Sequence, residues 1–508
     1  MEITSFYFLC FFTCLLFVYY ITPGKFQWII LLGASICYYL LSGNGVLIIY
    51  PVIAVTLTWL LLQVLKRISE KELTKRRIVL IAELLGLFGI LIGFKYTKFI
   101  GGGDLVAPLG LSFYTFILFG YFMDCYNGIS EIQGNILKTA LYGMYFPVMI
   151  SGPIFRIRES GEQFFKPHKL EYNNLVFGVQ RMLWGFFKEL VISNRLGYVV
   201  DTIFADDVNY QGAYIWVGAL CFTFQLYTNF SGCMDIVIGL SEVFGIVLPE
   251  NFNIPFFAKN ISEYWRRWHI TLGIWMKDYV FYPLLRTKLI MNLGKFLREK
   301  LGKKRGKQLT TFIAMLILWT SVGLWHGGAL KYVIGCGLLH WTYIVVGELT
   351  LPFWKKLFGE KMHINLQSRG ADFVRIIRTF FLVNIGNVFF RASTTVQALR
   401  MLKEGITVWN PAVLIDGSIF DLGLDGIESV VTLVSLVILF VVSHYQYRKQ
   451  KELEAAGKEY DGHIVRKAIA SKNIAFRWVF WFALLFYVIL LGEYGPGYSA
   501  AEFIYANF

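Results

Sequence analysis

Apolar residues in this chain come in long blocks, not in the alternation of a strand or the spaced stripe of a soluble helix. Fourteen blocks lie near residues 5–21, 26–43, 46–65, 78–96, 105–126, 136–155, 176–198, 212–230, 231–247, 309–325, 329–350, 372–391, 428–446 and 477–493. Each is roughly long enough to cross a bilayer as a helix. The pattern predicts an all-α polytopic membrane protein with about ten to twelve true spans, the remaining blocks being re-entrant or interfacial. The middle of the chain, 136–290, is where regular spans are least expected. There Pro147, Gly152-Pro153, Ser231-Gly232 and Pro249 interrupt apolar sequence. Non-helical backbone at membrane depth survives only where protein or a water-filled cavity covers it, so the interruptions predict a central cavity. The chain reads as one multi-pass domain, residues 1–508, with N-terminal helices in 1–104, a core in 105–350 and C-terminal helices in 351–508. It shows no soluble domain and no internal repeat.

Charge orients the helices. The formal net charge is +14, and three stretches hold the excess. Residues 66–77, 286–307 and 448–477 together contain 23 basic and 7 acidic side chains, leaving the rest near neutrality. Basic residues confined to loops between apolar blocks mark cytoplasmic loops, so a nucleic-acid partner is not needed to explain them. With 66–77 inside and three helices before it, the N-terminus is expected outside. The loop 394–427, with Asp416, Asp421 and Asp425, and the tail Gly495–Phe508 are expected outside too. The first block lacks a basic flank and a small-residue cleavage site, and so reads as a retained helix, not a signal peptide.

Composition agrees. The 508 residues are 56% hydrophobic and 16% charged, against about 25% charged in soluble domains, and the mean hydropathy is +0.55. The seven cysteines (Cys10, Cys14, Cys37, Cys125, Cys221, Cys233, Cys336) sit in or beside apolar blocks with no C-x-x-C. They read as packing residues, without a disulfide framework.

Seven histidines remain. His168, His363, His444 and His463 lie in polar loops or near a helix end, whereas His269, His326 and His340 fall within or against apolar sequence. Ionisable groups in such places are functional candidates. His269 follows Asn260-Ile-Ser-Glu-Tyr-Trp-Arg-Arg-Trp, and Asn260 with Glu263 forms an N-cap signature. Beyond the cap, Trp265, Trp268, His269, Leu272, Trp275, Met276 and Tyr279 recur at helical spacing. They predict one amphipathic helix in the headgroup plane, with Trp anchors and with Arg266 and Arg267 off the stripe. His269 is then either one member of that stripe or a functional group. His326 ends the apolar run Phe312–Trp325 and precedes Gly327-Gly328, where the backbone is free to break. Beside Trp325 its imidazole would be poorly solvated and therefore neutral, as a general base must be; a hydrogen-bonded core histidine fits as well. For His340 the packing reading is favoured. No H-e-x-x-H, zinc-spaced Cys/His set, Walker A loop or G-x-S-x-G is present, and the triple glycine Gly101–Gly103 before Asp104 reads as a loop.

Six strings carry a resemblance. They are Pro108-Leu-Gly-Leu-Ser-Phe-Tyr-Thr-Phe116, Tyr145-Phe-Pro-Val-Met-Ile-Ser-Gly-Pro-Ile154, Asn229-Phe-Ser-Gly-Cys-Met-Asp235, Pro249-Glu-Asn-Phe252, Tyr264-Trp-Arg-Arg-Trp-His269 and Gly323-Leu-Trp-His326-Gly327. In this order the chain resembles the membrane-bound O-acyltransferase (MBOAT) family, most closely its alginate O-acetylation branch, over about residues 108–345. The ending Phe503–Phe508 also looks like that branch. One departure stands out: the branch's Tyr-x-Asp-Phe-Ser-Gly-Tyr reads Tyr227-Thr-Asn229-Phe-Ser-Gly-Cys233 here, which bears on the acceptor.

The resemblance implies a ring of helices around a thin central region, where an acyl thioester from the cytoplasm meets a hydroxyl acceptor. It implies catalytic roles for His326 and His269, and makes Trp325, Arg266, Arg267, Asp235 and Asn229 candidates for substrate contacts, without a metal. The donor it implies is acetyl-coenzyme A or another thioester, used as a substrate with no bound cofactor. The implied surroundings are a bacterial plasma membrane, its lipid, a polysaccharide acceptor and a separate extracytoplasmic SGNH-type transferase or esterase. Two other readings stay open: D-alanyl transfer to teichoic acids and, from a different class, a transporter or flippase.

Overall fold

The computed structural model describes residues 1–42, 45–96, 106–458 and 462–494. The triple glycine with Asp104 and the tail 495–508 lie outside them. The described chain is helical, and its extended pairing is one isolated antiparallel bridge, Phe252 with Trp268. Among the described residues, eight helices are long and apolar enough to cross a membrane: Gly24–Leu41, Gly45–Lys66, Leu73–Tyr96, Lys303–Trp325, Leu330–Lys361, Arg369–Arg391, Gly426–Ala455 and Ile474–Leu491. A shorter apolar helix, Phe6–Ile21, precedes them. Several of their starts are capped as short polar side chains before apolar runs should cap them. Ser5 accepts from the Phe8 N–H at 3.2 Å and Asn473 from the Phe476 N–H at 2.8 Å, while Asp425 and Glu428 form a reciprocal capping box. Many outward side chains are apolar, such as Leu85 and Leu433, as expected where lipid is the solvent.

The middle departs from regular spans, as its prolines and glycines foretold. The block 136–155 breaks into Ile136–Met144 and Phe146–Ser151. The block 176–198 becomes Tyr172–Phe186, a π turn over Phe187–Ser193, and Asn194–Ala205. One expected interruption is corrected. Ser231-Gly232 does not separate two spans, because Ala213–Val243 is a single helix.

The chain divides into two compact units. The first comprises the described residues of Met1–Val191, Asn229–Glu250 and Ile469–Asn507. Its glycines explain the unbroken helix. A Cβ on Gly185 would stand 2.6 Å from the Gly232 carbonyl oxygen, and one on Gly178 2.6 Å from that of Gly239. Two glycine pairs, each seven residues apart on its own helix, let the backbones of Tyr172–Phe186 and Ala213–Val243 touch, the device membrane helices use to pack closely. Between the pairs, Asp235 accepts from Arg181 Nε at 2.9 Å and Lys188 Nζ at 2.6 Å. Arg181 also holds Glu250 in a bidentate pair, and Asn229 Nδ2 donates to Glu189 at 2.8 Å.

The second unit comprises Ile192–Thr228 and the described residues of Asn251–Ala468. It contains the helices Lys303–Trp325, Leu339–Trp354, Arg369–Arg391 and Gly426–Ala455, and with them His269, His326 and His340.

Candidate functional site

His269 does not lie on a continuous amphipathic helix. The stripe is cut in two, Ile261–Arg267 and Ile270–Met276. Between them Trp268 is extended and bridges to Phe252, and His269 takes a left-handed conformation, φ 48° and ψ 51°. A residue bearing a Cβ adopts that region at a cost and keeps it only when its surroundings impose it.

Asn251 imposes it. Its side-chain oxygen accepts from the Thr271 N–H at 3.0 Å and the Thr271 hydroxyl at 2.9 Å, while its backbone oxygen accepts from the Ile270 N–H at 3.0 Å. The Asn253 N–H reaches the Arg267 carbonyl at 2.9 Å, completing a seam that stitches 251–253 along the break. His269 Nδ1 lies 3.2 Å from the same Asn251 oxygen. The backbone N–H of Thr271 fixes the amide orientation, so that oxygen can only accept, and Nδ1 must carry the proton. The lone pair of the neutral ring therefore lies on Nε2. The residue is 2% exposed, and burial lowers its pKa to about 3, so the ring is neutral at physiological pH.

His326 caps the C-terminal end of Lys303–Trp325. Gly327 and Gly328 follow at φ 127° and 73°, values that side chains rarely adopt, and they turn the chain sharply away from the helix. The imidazole is 3% exposed and walled by rings: Trp325 at 4.6 Å, Phe390 edge-on at 5.4 Å and Tyr332 at 6.4 Å between centroids. Trp325 is also 6.0 Å from His269. One indole thus touches both imidazoles, and the two histidines belong to one buried cluster.

The other sequence candidates divide. Arg266 is exposed and makes no polar contact among the described residues. Arg267 is engaged, pairing with Glu263 at 3.0 Å and donating to the Asn253 carbonyl at 3.2 Å. Asp235 and Asn229 belong to the first unit, where Arg181, Lys188 and Glu189 occupy them. His340 packs against Trp265 at 5.0 Å and Trp319 at 5.9 Å, in keeping with a packing role. Sequence reasoning assigned no role to Asn251, although Pro249–Phe252 was among the resemblant strings. It also passed over Phe390 and Tyr332, which as aromatics in apolar segments carry no distinguishing signal. No three His, Cys, Asp or Glu side chains converge as metal ligands among the described residues.

The cluster supplies two imidazoles in a water-poor aromatic enclosure, that of His269 held neutral by its burial, an arrangement suited to moving a proton during attack on a carbonyl. A model of the membrane-bound O-acyltransferase family matches residues 133–365, which include both histidines. The probable alginate O-acetylase AlgI of Azotobacter vinelandii is 28% identical over 400 residues, 76% of this chain and 73% of that protein. The peptidoglycan O-acetyltransferase of Helicobacter pylori is 30% identical over 366 residues, 65% of this chain and 64% of its own length. The teichoic acid D-alanyltransferase of Bacillus subtilis is 29% identical over 293 residues, 56% of this chain and 69% of its own. The chain belongs to the membrane-bound O-acyltransferase family, in its alginate O-acetylase-like branch, and is a multi-pass membrane acyltransferase.

Proposed function

We propose that this enzyme passes an acetyl group from a cytoplasmic thioester, acetyl-coenzyme A, to a hydroxyl acceptor on the way to an extracytoplasmic polysaccharide. His326 is the general base. Its imidazole takes the hydroxyl proton as the oxygen attacks the thioester carbonyl. The tetrahedral intermediate then collapses, the C–S bond breaks, the thiolate leaves with the electron pair, and the imidazolium releases its proton to solvent. Base assistance of this kind contributes roughly 10²–10⁴ in rate. His269, with its lone pair on Nε2, positions the thioester donor by accepting from one of its amide N–H groups, and Trp325 excludes water between the two rings. Arg266, exposed and with no side-chain polar partner among the described residues, is suited to a coenzyme A phosphate.

The observation that supports this reading is the shared contact of His269 and His326 with Trp325 in one buried cluster. The acceptor class rests on the named activities of the relatives, which modify alginate, peptidoglycan and teichoic acid. A separate extracytoplasmic transferase would complete delivery, with the N-terminus of this chain on its side of the membrane.

The test uses purified enzyme in nanodiscs with labelled acetyl-coenzyme A, comparing wild type with His326→Ala. Thioester turnover in wild type, lost from a folded mutant, supports both donor and base. Equal turnover in the two removes His326 from the mechanism. Silence with acetyl-coenzyme A but turnover with a D-alanyl carrier-protein thioester replaces the acetyl reading with D-alanylation.

A further inference from the structure

The first unit contains a cavity of about 910 Å³ that the proposed chemistry does not use. Its walls come from Phe6–Ile21, Tyr172–Phe186 and Ile474–Leu491, through side chains such as Phe12, Val179, Met182, Trp478 and Leu485. The volume is at the upper end of small-molecule sites. Val179 and Trp478 are 46% and 58% exposed, so the cavity opens along the outer flank of membrane helices, where lipid is the neighbouring phase.

Two contacts give the register of its walls. The rings of Phe187 and Tyr487 are 5.9 Å apart, and the Glu493 N–H donates to the Leu190 carbonyl at 2.9 Å. The residue offsets are nearly the same, so Tyr172–Phe186 and Ile474–Leu491 run parallel. At 1.5 Å rise per residue, Arg477 stands level with about residues 174–177. The second helix touches the first near its C-terminal end, and six per cent of its whole apolar window is buried.

Toward the N-terminal end of that helix the lining changes character. Among the described residues Arg477 is the one charged residue of the wall, and it forms no ion pair. Exposed Lys169 and Lys472 precede the two helices, with one acidic neighbour, Glu171. From Arg477 to Ile489 the wall extends about 18 Å by helical rise, close to the roughly 15 Å of one hydrocarbon leaflet, half a core of about 30 Å. The groove is therefore cationic at one end, apolar for one leaflet's depth and open to the bilayer.

We propose that it is a specific site for an anionic phospholipid. The phosphate is paired with Arg477, and an acyl chain fills the wedge that holds Ile474–Leu491 against Tyr172–Phe186. A basic end between membrane helices is how such headgroups are recognised.

Native mass spectrometry tests it, with detergent-purified full-length protein titrated with dioleoyl phosphatidylglycerol or dioleoyl phosphatidylethanolamine. Wild type should prefer phosphatidylglycerol about tenfold, and its melting temperature should rise with that lipid alone. Arg477→Gln should abolish the preference and Arg477→Lys keep most of it, while Val179→Trp, which fills the groove, should reduce binding of both lipids. Equal binding of the two lipids by wild type, or a preference that survives Arg477→Gln, overturns the proposal. A photo-crosslinker at Trp478 that captures a polypeptide instead of lipid also overturns it, in favour of a partner's membrane helix.

Discussion

The imidazole of His269 lies 6.0 Å from the indole of Trp325, and the same indole lies 4.6 Å from His326. The consequence is mechanical. Trp325 is the last residue of one helix, His269 sits at a break between two others, and the indole lies against both imidazoles.

Trp325→Ala should therefore lower turnover further than its loss of packing explains. The cavity would cost about 3–5 kcal/mol of stability. Trp325→Phe, which retains an aromatic wall, should recover most of the fold and part of the rate. Steady-state kinetics with melting curves in nanodiscs separate the two. Full activity in a folded Trp325→Ala would show that the histidines do not depend on the indole.

Asn251 should behave as a positioning residue for His269. Asn251→Ala strips the partner from the Thr271 N–H and hydroxyl, a penalty of about 1–3 kcal/mol, and frees the His269 backbone from its left-handed turn. Its activity loss should match that of His269→Ala, and the double mutant should add little. Additive losses, measured as a double-mutant cycle, would argue that the two residues act separately.

Acid should weaken the second unit through His269. A histidine held neutral in the fold, at about 3 against an ordinary 6.5, contributes stability that is complete above 6.5. That contribution falls as pH drops below 6.5, until the folded ring itself protonates near 3. One proton gives a slope of up to about 1.4 kcal/mol per pH unit in that window. His269→Gln should flatten that part of the stability curve from pH 6.5 to 4; an unchanged slope would assign the acid sensitivity elsewhere.

The glycine crossing should resist enlargement. Gly185→Ala places a methyl 2.6 Å from the Gly232 carbonyl oxygen, and overpacking of that kind costs about 1–3 kcal/mol. Gly273→Ala, whose Cβ would meet only the Trp265 carbonyl oxygen at 3.7 Å, is the control and should be tolerated. Equal melting temperatures for both variants would refute the close packing.

Asp235 distinguishes two roles. Held by Arg181 and Lys188, it should show its loss chiefly as instability: Asp235→Asn leaves buried cations short of a counter-charge, about 3–5 kcal/mol for a broken buried pair. A raised KM with an unchanged melting temperature would instead restore it as a substrate contact.

What the sequence determined by itself was whatever depends on neighbours along the chain. Fourteen apolar blocks and three basic loops announced a helical membrane protein, because bilayer length and the cost of unpaired backbone leave few other solutions. The Trp325-His326-Gly327-Gly328 string marked a helix end with a buried imidazole, since two glycines permit a turn that other residues resist. Tertiary structure decided the rest. Spacing read Trp265 to Tyr279 as one helix because a 3.6 period cannot register a seam made by distant Asn251, whose hydrogen bonds pay for the break at His269. Ser231-Gly232 read as an interruption because glycine weakens a helix locally. Its actual use, admitting the backbone of Gly185, depends on a partner segment more than forty residues earlier in the chain. Asp235 likewise offered a carboxylate in apolar sequence, and only the fold disclosed that Arg181 and Lys188 already hold it. Local sequence encodes propensity and burial; which groups meet across the fold is settled by packing, where a single contact outweighs a local preference of about 1 kcal/mol.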